Sequence, residues 1–521
     1  MKTRIIAMLL VLCMVVLALA SCGGKKTPDT TEKPIGGQTG TKDSGEEKWN
    51  DVDFGGETII ISLSTYEPSW ILDVGASNSI KYIKGPDAYT TDSVQNAVYD
   101  RNTKMAKELN LDVIYQSCEQ YNADCDNTLT VIENFVLADL EDSPDVVNTM
   151  SYGVVRAGIK GMLYNALTKD YENYFDFSSD GWYSDFMYEN TLDESKIFIL
   201  AGDYFIDVLR YGYAMLVNLD MYDEVFASEG GSASLFELIK AGDWNYDEAK
   251  RCIEKAYVDA GTIGQLDQED TIGAINHYSW TIRSTFATSG IELFETGADG
   301  KLQYVEDTTE IHNYVDAMLD LTSADGFYLN AGTGSANKNW DPMKAFTTGN
   351  VLFSFDAPVL ALEGSILQNM DDKAALVPYP KYTPDVEYGA LISDNGNVGG
   401  ILYNSDKFTE CSAYLQMAAE ESNDGKGTLI YEYFDITLKY KLSNTPEQVS
   451  MLEYIRDGLC APKMLLYDNY FAKSVGMKTF GTIVNASLAS GTNTFASSWE
   501  SQIGAVQGAL DATLETYGQQ N

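Results

Sequence analysis

Histidine is nearly absent, with only His277 and His312 among 521 residues. The sequence has neither the HExxH helix of zinc proteases nor the GxSxG turn of serine hydrolases. It also lacks a phosphate-binding glycine loop and the glycine fingerprint of dinucleotide-binding folds. These absences argue against zinc proteolysis, ordinary serine hydrolysis and phosphate or dinucleotide binding. We therefore interpret both histidines as structural and predict no catalytic residue, no metal and no cofactor.

Basic residues are scarce too, because 35 Lys and Arg face 77 Asp and Glu, for a net charge of −42. Such a charge repels phosphate backbones and anionic lipid, which argues against nucleic-acid binding and polybasic membrane contact. The many acids leave one enzyme class open. A glycoside hydrolase needs two carboxylates about 5 to 9.5 Å apart, and a sequence does not reveal that spacing.

The seven cysteines do not form a disulfide framework. Cys13 and Cys22 lie in the N-terminal segment, and the other five are irregularly spaced, which is atypical of a scaffold held by disulfides. Cys118 and Cys125 are near enough to pair in an exported protein, but buried thiols are the favoured interpretation.

One apolar run stands out, at residues 5–19, and it follows the two basic residues Lys2 and Arg4. The run is too short for a membrane span and has the layout of an export signal. LASC at 19–22 resembles the lipobox of bacterial lipoproteins, in which the chain is cut just before a lipidated cysteine. The alternative is an ordinary signal peptide cut near Ala20.

The lipobox resemblance implies that residues 1–21 are a signal peptide and that Cys22 carries a lipid anchor. Residues 22–50 are then a tether, since they are dominated by Gly, Thr, Lys, Pro and acids and bury little apolar surface. A random coil of this length reaches about 25 to 30 Å. We expect an exported protein held at the outer face of the bacterial cytoplasmic membrane.

Alternating strands and helices follow the tether. Apolar patterns predict strands at 57–64, 111–116 and 145–150, with helices from Ser93 to Asn110 and over 128–140. Two strand–helix–strand units in a row predict a parallel sheet covered by helices on both faces.

Ligands of such sheets bind outside the carboxyl ends of the strands. The loops expected there carry Tyr66 and Trp70 after the first strand and Tyr152 after the third. These rings are candidates for ligand contact. The alternative is that they only cover the edge of the sheet.

Four later stretches resemble extracellular solute-binding proteins of family 1, the lipoprotein components of bacterial sugar ABC importers. They are YGYAMLVNLDMYDEV at 211–225, FELIKAGDWNYDEAK at 236–250, AFTTGNVLFSFD at 345–356, and the segment from VPYPKY to MAAEES at 377–422. Each is a hydrophobic pattern with a turn, and the resemblance depends on their order and spacing.

The resemblance implies an α/β, two-lobed periplasmic-binding-protein-like fold of type II, in which hinge strands join two mainly parallel sheets flanked by helices. It places lobe 1 at 51–212 and 376–425, and lobe 2 at 213–375 and 426–521. It also implies a ligand held between the lobes and, as partners, the permease subunits of an ABC transporter. We expect a monomer.

Sugars bind to flat aromatic rings beside polar groups that pair with their hydroxyls, and the chain has 34 tyrosines and 7 tryptophans. Residues 275–304 resemble the family segment that supplies cleft aromatics, so Tyr278 and Trp280 are the favoured stacking residues. The remaining candidates, chosen by position, are Tyr204, Trp340, Asp356 and Tyr470. Many tyrosines of a protein this size are core or surface residues, which is the alternative for each of them.

The sequence thus predicts a membrane-anchored protein that captures a mono- or oligosaccharide and delivers it to an ABC permease without catalysing a reaction. The alternatives are a binding protein for a peptide or another organic solute, and a surface glycoside hydrolase.

Overall fold

The computed structural model describes residues 46–65, 79–118, 125–138, 142–267, 269–276, 279–298, 300–329, 342–394, 396–423, 425–460 and 467–517. Within these ranges no helix is both long and apolar enough to cross a membrane. The predicted signal peptide and most of the tether, with Cys22, lie outside the described residues.

The described strands belong to two larger sheets and one hairpin. In chain order they are β1 Glu57–Ser64, β2 Leu111–Cys118, β3 Val146–Met150, β4 Gly212–Asn218, β5 Ile272–Ile275, β6 Phe294–Thr296, β7 Leu302–Tyr304, β8 Phe327–Tyr328, β9 Val351–Pro358, β10 Ala374–Val377, β11 Ala390–Ile392, β12 Asn397–Ile401 and β13 Leu459–Cys460.

Helices surround both sheets. In chain order they are α1 Glu46–Trp49, α2 Ser93–Leu109, α3 Cys125–Ala138, α4 Ser151–Ile159, α5 Ser184–Glu189, α6 Asp207–Arg210, α7 Leu219–Val225, α8 Ser232–Ala241, α9 Tyr246–Ala256, α10 Ser279–Ala287, α11 Thr309–Thr322, α12 Pro342–Thr347, α13 Ser365–Gln368, α14 Phe408–Asn423, α15 Pro446–Asp457, α16 Asn469–Ser474, α17 Phe480–Ser490, α18 Phe495–Glu500 and α19 Ile503–Tyr517. Short 3₁₀ helices cover Ser79–Tyr82, Ala227–Glu229 and Val359–Glu363, and a π-helix covers Tyr431–Leu442.

The first sheet has the strand order β12-β3-β1-β2. β1 pairs in parallel with β2 and β3, as the strand–helix–strand pattern predicts, and β12 closes the sheet antiparallel to β3. Asp92 caps α2, because its carboxylate accepts hydrogen bonds from the amides of Val94 and Gln95. The predicted stop at Asn110 is confirmed, since this residue takes a left-handed conformation just after the helix.

The second sheet has the order β13-β11-β4-β9-β5-β8, and β10 pairs antiparallel with the C-terminal half of β4. The stretches that resemble the family form the expected elements here. Asn218 ends β4 and caps α7 by accepting from the amide of Met221 at 3.0 Å, and Gly242 ends α8 in a left-handed conformation.

In the described part of the chain there are three passages between the two sheets, which we call the crossings. The first crossing is α6, which leads directly into β4. The second crossing is residues 393–396, which separate β11 from β12. The third crossing is residues 425–445, which contain the π-helix and lead from α14 to α15.

The sheet pairing changes one predicted lobe boundary. β10 and β11 both pair with β4 of the second sheet, so the chain returns to the first sheet at Asn397 rather than near residue 376. The apolar run and turn at 374–392 resemble a returning strand in sequence, but backbone pairing decides which sheet it joins.

The C-terminal helices contact both lobes. On the side of the second sheet, the rings of Phe286 and Phe480 lie 4.4 Å apart between α10 and α17. On the side of the first sheet, the hydroxyl of Tyr467 donates to the carbonyl of Asn190 at 2.7 Å. The ammonium of Lys196 donates to the carbonyl of Tyr517, also at 2.7 Å. The lobes therefore touch away from the crossings as well as at them.

Candidate functional site

The carboxyl edges of the two sheets face each other across the second crossing. Asn397, the first residue of β12, lies opposite Met150, the last residue of β3. On the other sheet Ile392, the last residue of β11, lies opposite Gly212, the first residue of β4. Five peptide units separate Ile392 from Asn397, so the two edges lie within about 17 Å of each other. Ligands of α/β sheets bind at such edges.

The second crossing is held from both lobes. From the first lobe, the amide of Ser151 at the start of α4 donates to the carbonyl of Gly396 at 2.8 Å. The hydroxyl of Ser151 donates to the carbonyl of Asp394 at 3.0 Å. From the second lobe, Arg283 of α10 donates to Asp394 Oδ2 at 2.8 Å. The arginine and carboxylate side chains are only 15% and 6% exposed, so the ion pair is shielded from water.

Two buried acceptor oxygens at this crossing have no hydrogen-bond donor among the described residues. They are Oδ1 of Asp394 and Oδ1 of Asn397, whose side chains are otherwise engaged through Oδ2 and Nδ2. A buried acceptor without a donor costs about 1 to 3 kcal/mol. The two lie three residues apart, at the kind of sheet edge where α/β folds bind ligands, and each can accept a hydrogen bond from a hydroxyl or an amide.

Asp468, just before α16, adds a second acid near Arg283. Burial raises the pKa of this carboxyl to about 7, although the amide of Phe480, 2.7 Å from Oδ2, and the charge of Arg283 oppose the increase. Arg283 therefore has two buried acids near it, Asp394 in direct contact and Asp468.

A group of six residues, the hinge network, joins the three crossings: Tyr82, Asp207, Arg210, Glu363, Asn397 and Tyr433. Its centre is Arg210, whose side chain is 1% exposed. Arg210 Nη1 donates to Asp207 Oδ1 at 3.1 Å within the first crossing. Asp207 Oδ2 accepts from Asn397 Nδ2 at 2.6 Å, which ties the first crossing to the end of the second.

Glu363, from the 3₁₀ helix after β9, completes the hinge network. It accepts from Arg210 Nε at 3.0 Å and from the hydroxyl of Tyr433, on the third crossing, at 2.6 Å. The hydroxyl of Tyr82, from the first lobe, donates to its other oxygen at 3.0 Å. Burial by itself would raise the pKa of Glu363, but the charge and hydrogen bonds of Arg210 and the Tyr433 hydroxyl outweigh it and hold the pKa below the ordinary value.

Two of the aromatic residues predicted from sequence lie close together across the lobes. Tyr152, in the first turn of α4, is buried, and its ring lies 4.3 Å from the guanidinium of Arg156. The same guanidinium lies 5.6 Å from the ring of Tyr470 on α16. Tyr152 and Tyr470 therefore meet through Arg156, at a contact between the first lobe and the C-terminal helices.

Tyr204 and Asp356 have engaged polar atoms. Tyr204 is 1% exposed and donates to the carbonyl of Leu200 at 2.8 Å, inside the first lobe. Burial raises the pKa of its hydroxyl far above the ordinary value. Asp356 is 3% exposed, and both of its carboxylate oxygens accept hydrogen bonds from hydroxyls of the second lobe. Because Tyr204 is buried and its hydroxyl already donates to a carbonyl inside the first lobe, we leave Tyr204 out of the candidate site.

The other predicted positions lie outside the described residues. They are Tyr66, Trp70, Tyr278 and Trp340; the backbone of Trp280 lies in α10, but its side chain is not described. Their contact with ligand stays a prediction, and so does the pairing of Cys118 with Cys125, whose side chain is likewise not described.

Sequence reasoning did not single out Arg283, Asp394 or Asn397. Asp394 and Asn397 lie in the short polar stretch DNGN at 394–397, and the partner of Asp394 is 111 positions away. The one available signal was the position of this turn just before the strand that returns to the first lobe.

A separate cavity of about 370 Å³ lies between α2 and β2, with Tyr99, Met105, Tyr115 and Tyr414 in its wall. β2 is the strand of the first sheet farthest from β12 and hence from the second crossing. We assign this cavity no role.

No protein-family profile matches the chain, and no curated protein matches it in sequence. Solved structures do resemble it. One is the galacto-N-biose/lacto-N-biose I-binding protein of an ABC transporter from Bifidobacterium longum, in complex with lacto-N-biose, with a TM-score of 0.52 at 11% identity over 89% of this chain and 98% of the other. Another is an ABC substrate-binding protein from Listeria monocytogenes, in complex with cycloalternan, with a TM-score of 0.50 at 12% identity over 89% and 99% of the two chains.

At such low identity the likeness concerns the fold alone. The chain has the α/β, two-lobed fold of these solute-binding proteins, which confirms the predicted fold class. The coverage of nearly all of each relative means that both lobes take part in the likeness.

The hinge network makes a prediction about stability. Glu363→Gln keeps the side-chain size but removes the charge that faces Arg210, so we expect a loss of about 2 kcal/mol at pH 7. Because the pKa of Glu363 is lowered by folding, its contribution is present above the ordinary value of 4.5 and is lost as the pH falls through the lowered value. Chemical unfolding of both forms at several pH values measures the difference.

The matched control is Glu237→Gln. Glu237 is 73% exposed and lies 3.2 Å from Lys240, a surface pair worth at most about 1 kcal/mol. Equal losses for the two variants, or a Glu363 effect that grows toward acid pH, would contradict the role given to the hinge network.

Proposed function

We propose that this protein is the solute-binding component of a bacterial ABC importer and that it captures a carbohydrate between its lobes. The observation that carries the proposal is the pair of buried acceptors, Asp394 Oδ1 and Asn397 Oδ1, at the facing edges of a two-lobed fold. Sugar hydroxyls are the donors that such acceptors lack. A ligand that donates to both relieves their unpaired burial, which makes the site selective for polyols.

The similar structures support the same class of ligand. The Bifidobacterium protein holds lacto-N-biose and the Listeria protein holds cycloalternan, and both are named as parts of ABC transport. In our proposal Tyr66, Trp70, Tyr278, Trp280 and Trp340 supply the aromatic surfaces on which the sugar rings stack. Asp394 and Asn397 supply the polar side of the site.

The proposed protein binds without catalysing a reaction. Asp394 is held in an ion pair with Arg283, and both oxygens of Asp356 accept hydrogen bonds from hydroxyls, so we assign neither carboxylate a catalytic role. A glycosidase needs one carboxyl as acid and another as nucleophile or base. We also propose that Cys22 carries a lipid anchor, that the protein acts as a monomer, and that it delivers its ligand to permease subunits.

A thermal-shift screen tests the proposed ligand class. We expect at least one mono- or oligosaccharide to raise the unfolding temperature of a soluble version beginning at Gly45, where the compact unit starts. At 100 times its dissociation constant a ligand adds about 2.7 kcal/mol of stability. Peptides and other organic solutes are screened in parallel.

The alternatives give different results in this screen. If peptides raise the unfolding temperature and no sugar does, the ligand is a peptide and not a carbohydrate. If the purified protein releases the chromophore from a chromogenic glycoside, the protein is a glycoside hydrolase and the proposed binding function is wrong.

The aromatic part of the site has its own test. Trp280→Ala and Trp70→Ala should each weaken binding of the best sugar by about tenfold or more, because each removes a stacking surface worth about 1.4 kcal/mol or more. Calorimetric titration measures the affinity. Tyr440→Ala is the control, since Tyr440 is 84% exposed on the third crossing. Unchanged affinity in both tryptophan variants would remove these residues from the site.

The lipid anchor is tested by cell fractionation. Cys22→Ala should move the protein from the membrane fraction to the soluble fraction or the medium, because one acyl-bearing residue provides the proposed attachment. Cys252→Ala, at a buried position in α9, is the control. Membrane association of the Cys22 variant equal to that of the unaltered protein would exclude this anchor.

A further inference from the structure

Asp356 has an unusual backbone conformation. Its φ angle is +70°, and among the described residues only Asn110 is another non-glycine residue with positive φ. The pairing of β4 with β9 shifts at the same point, so that Phe355 and Asp356 together lie opposite Met215. This is a β-bulge, a feature that turns a side chain away from its regular direction.

The bulge directs the carboxylate of Asp356 onto the helix that follows β5. Asp356 Oδ2 accepts from the hydroxyl of Thr281, and Oδ1 accepts from the hydroxyl of Ser284 at 3.0 Å. The hydroxyl of Tyr379 also donates to Oδ1, at 2.9 Å. All four side chains are buried, and hydrogen bonds to a carboxylate are among the stronger ones.

These contacts fix one face of α10. Thr281 and Ser284 are three residues apart and lie on the same face, whereas Arg283 lies on another face. Arg283 leaves the helix to pair with Asp394 on the second crossing. A rotation of α10 that breaks its contacts with Asp356 would also displace the backbone from which Arg283 reaches Asp394.

We propose that Asp356 is a positioning residue that holds α10 so that Arg283 reaches Asp394 at the candidate sugar site. This inference rests on the proposed function for its link to ligand binding, but the ion pair itself is a feature of the structure. It differs from the sequence-based prediction, which made Asp356 a direct contact of the sugar. The strained backbone is then part of the site, because it aims the carboxylate.

Two substitutions separate positioning from direct contact. Asp356→Gly accepts the positive φ angle and removes every contact of the carboxylate. Asp356→Asn also tolerates this conformation, and its amide oxygen can accept from Ser284 and Tyr379 while its amino group donates to Thr281. Positioning therefore predicts rescue by Asn, whereas a direct charged contact with the ligand predicts loss in both variants.

The first experiment needs no ligand. Arg283→Met, Asp394→Asn and the double variant are made in the unaltered protein and in the Asp356→Gly and Asp356→Asn backgrounds, and unfolding temperatures are measured. In the unaltered protein and the Asn background the two losses should be non-additive, with a coupling of about 2 °C. In the Asp356→Gly background the losses in unfolding temperature from Arg283→Met and Asp394→Asn should be additive. Coupling that persists in the Gly background would overturn the proposal.

The second experiment measures affinity for the best sugar from the screen. We expect a loss of about tenfold or more for Asp356→Gly and less than about threefold for Asp356→Asn. Equal losses in both would make Asp356 a direct contact and overturn positioning. If the Gly variant does not fold, Ser284→Ala removes one of the three donors and takes its place, with Thr288→Val as the control, because the Thr288 hydroxyl bonds only to carbonyls of α10.

The two proposals fail in different ways. If no sugar binds the unaltered protein, the carbohydrate assignment fails while the ligand-free coupling still decides the role of Asp356. If sugars bind but the coupling is the same in all three backgrounds, only the positioning role fails.

Discussion

The fold depends on the charge of Arg210, which is buried where the three crossings meet. A buried guanidinium is tolerated only if it is paired and hydrogen-bonded, and here Asp207 and Glu363 supply two carboxylates. Through these acids the arginine also connects to Asn397 and Tyr433. Movement of any one crossing relative to the others would break a charged hydrogen bond in a dry environment, so the crossings act together as one joint.

Such a joint explains how ligand binding at the second crossing can change the positions of both lobes. The second crossing contains Asp394 and leads into Asn397, the first residue of β12, which donates to Asp207. One of the two acceptor-bearing residues, Asn397, is thus itself part of the hinge network. Ligand can favour one arrangement of the lobes only through contacts that differ between arrangements, and this crossing is where such contacts would form.

Much of the fold could be predicted from sequence, because its signals are local. The apolar strands β1 to β3, the stop at Asn110 and the strand and helix around Asn218 all follow from neighbouring residues. The return to the first lobe was misplaced because pairing of β10 and β11 with β4 is a long-range choice. The residues of the candidate site were harder to predict from sequence than the fold. The partner of Arg283 is 111 positions away, and the bulge that aims Asp356 depends on a strand pairing that no local pattern reveals.

Solution X-ray scattering with and without sugar tests the central claim most directly, which is that two lobes joined at a buried hinge close on a carbohydrate. With a sugar that stabilises the protein in thermal-shift measurements, the account predicts a smaller radius of gyration at saturation, with the Glu363→Gln variant showing a weaker or broader change. A bound sugar that leaves the radius of gyration of the unaltered protein unchanged would contradict it.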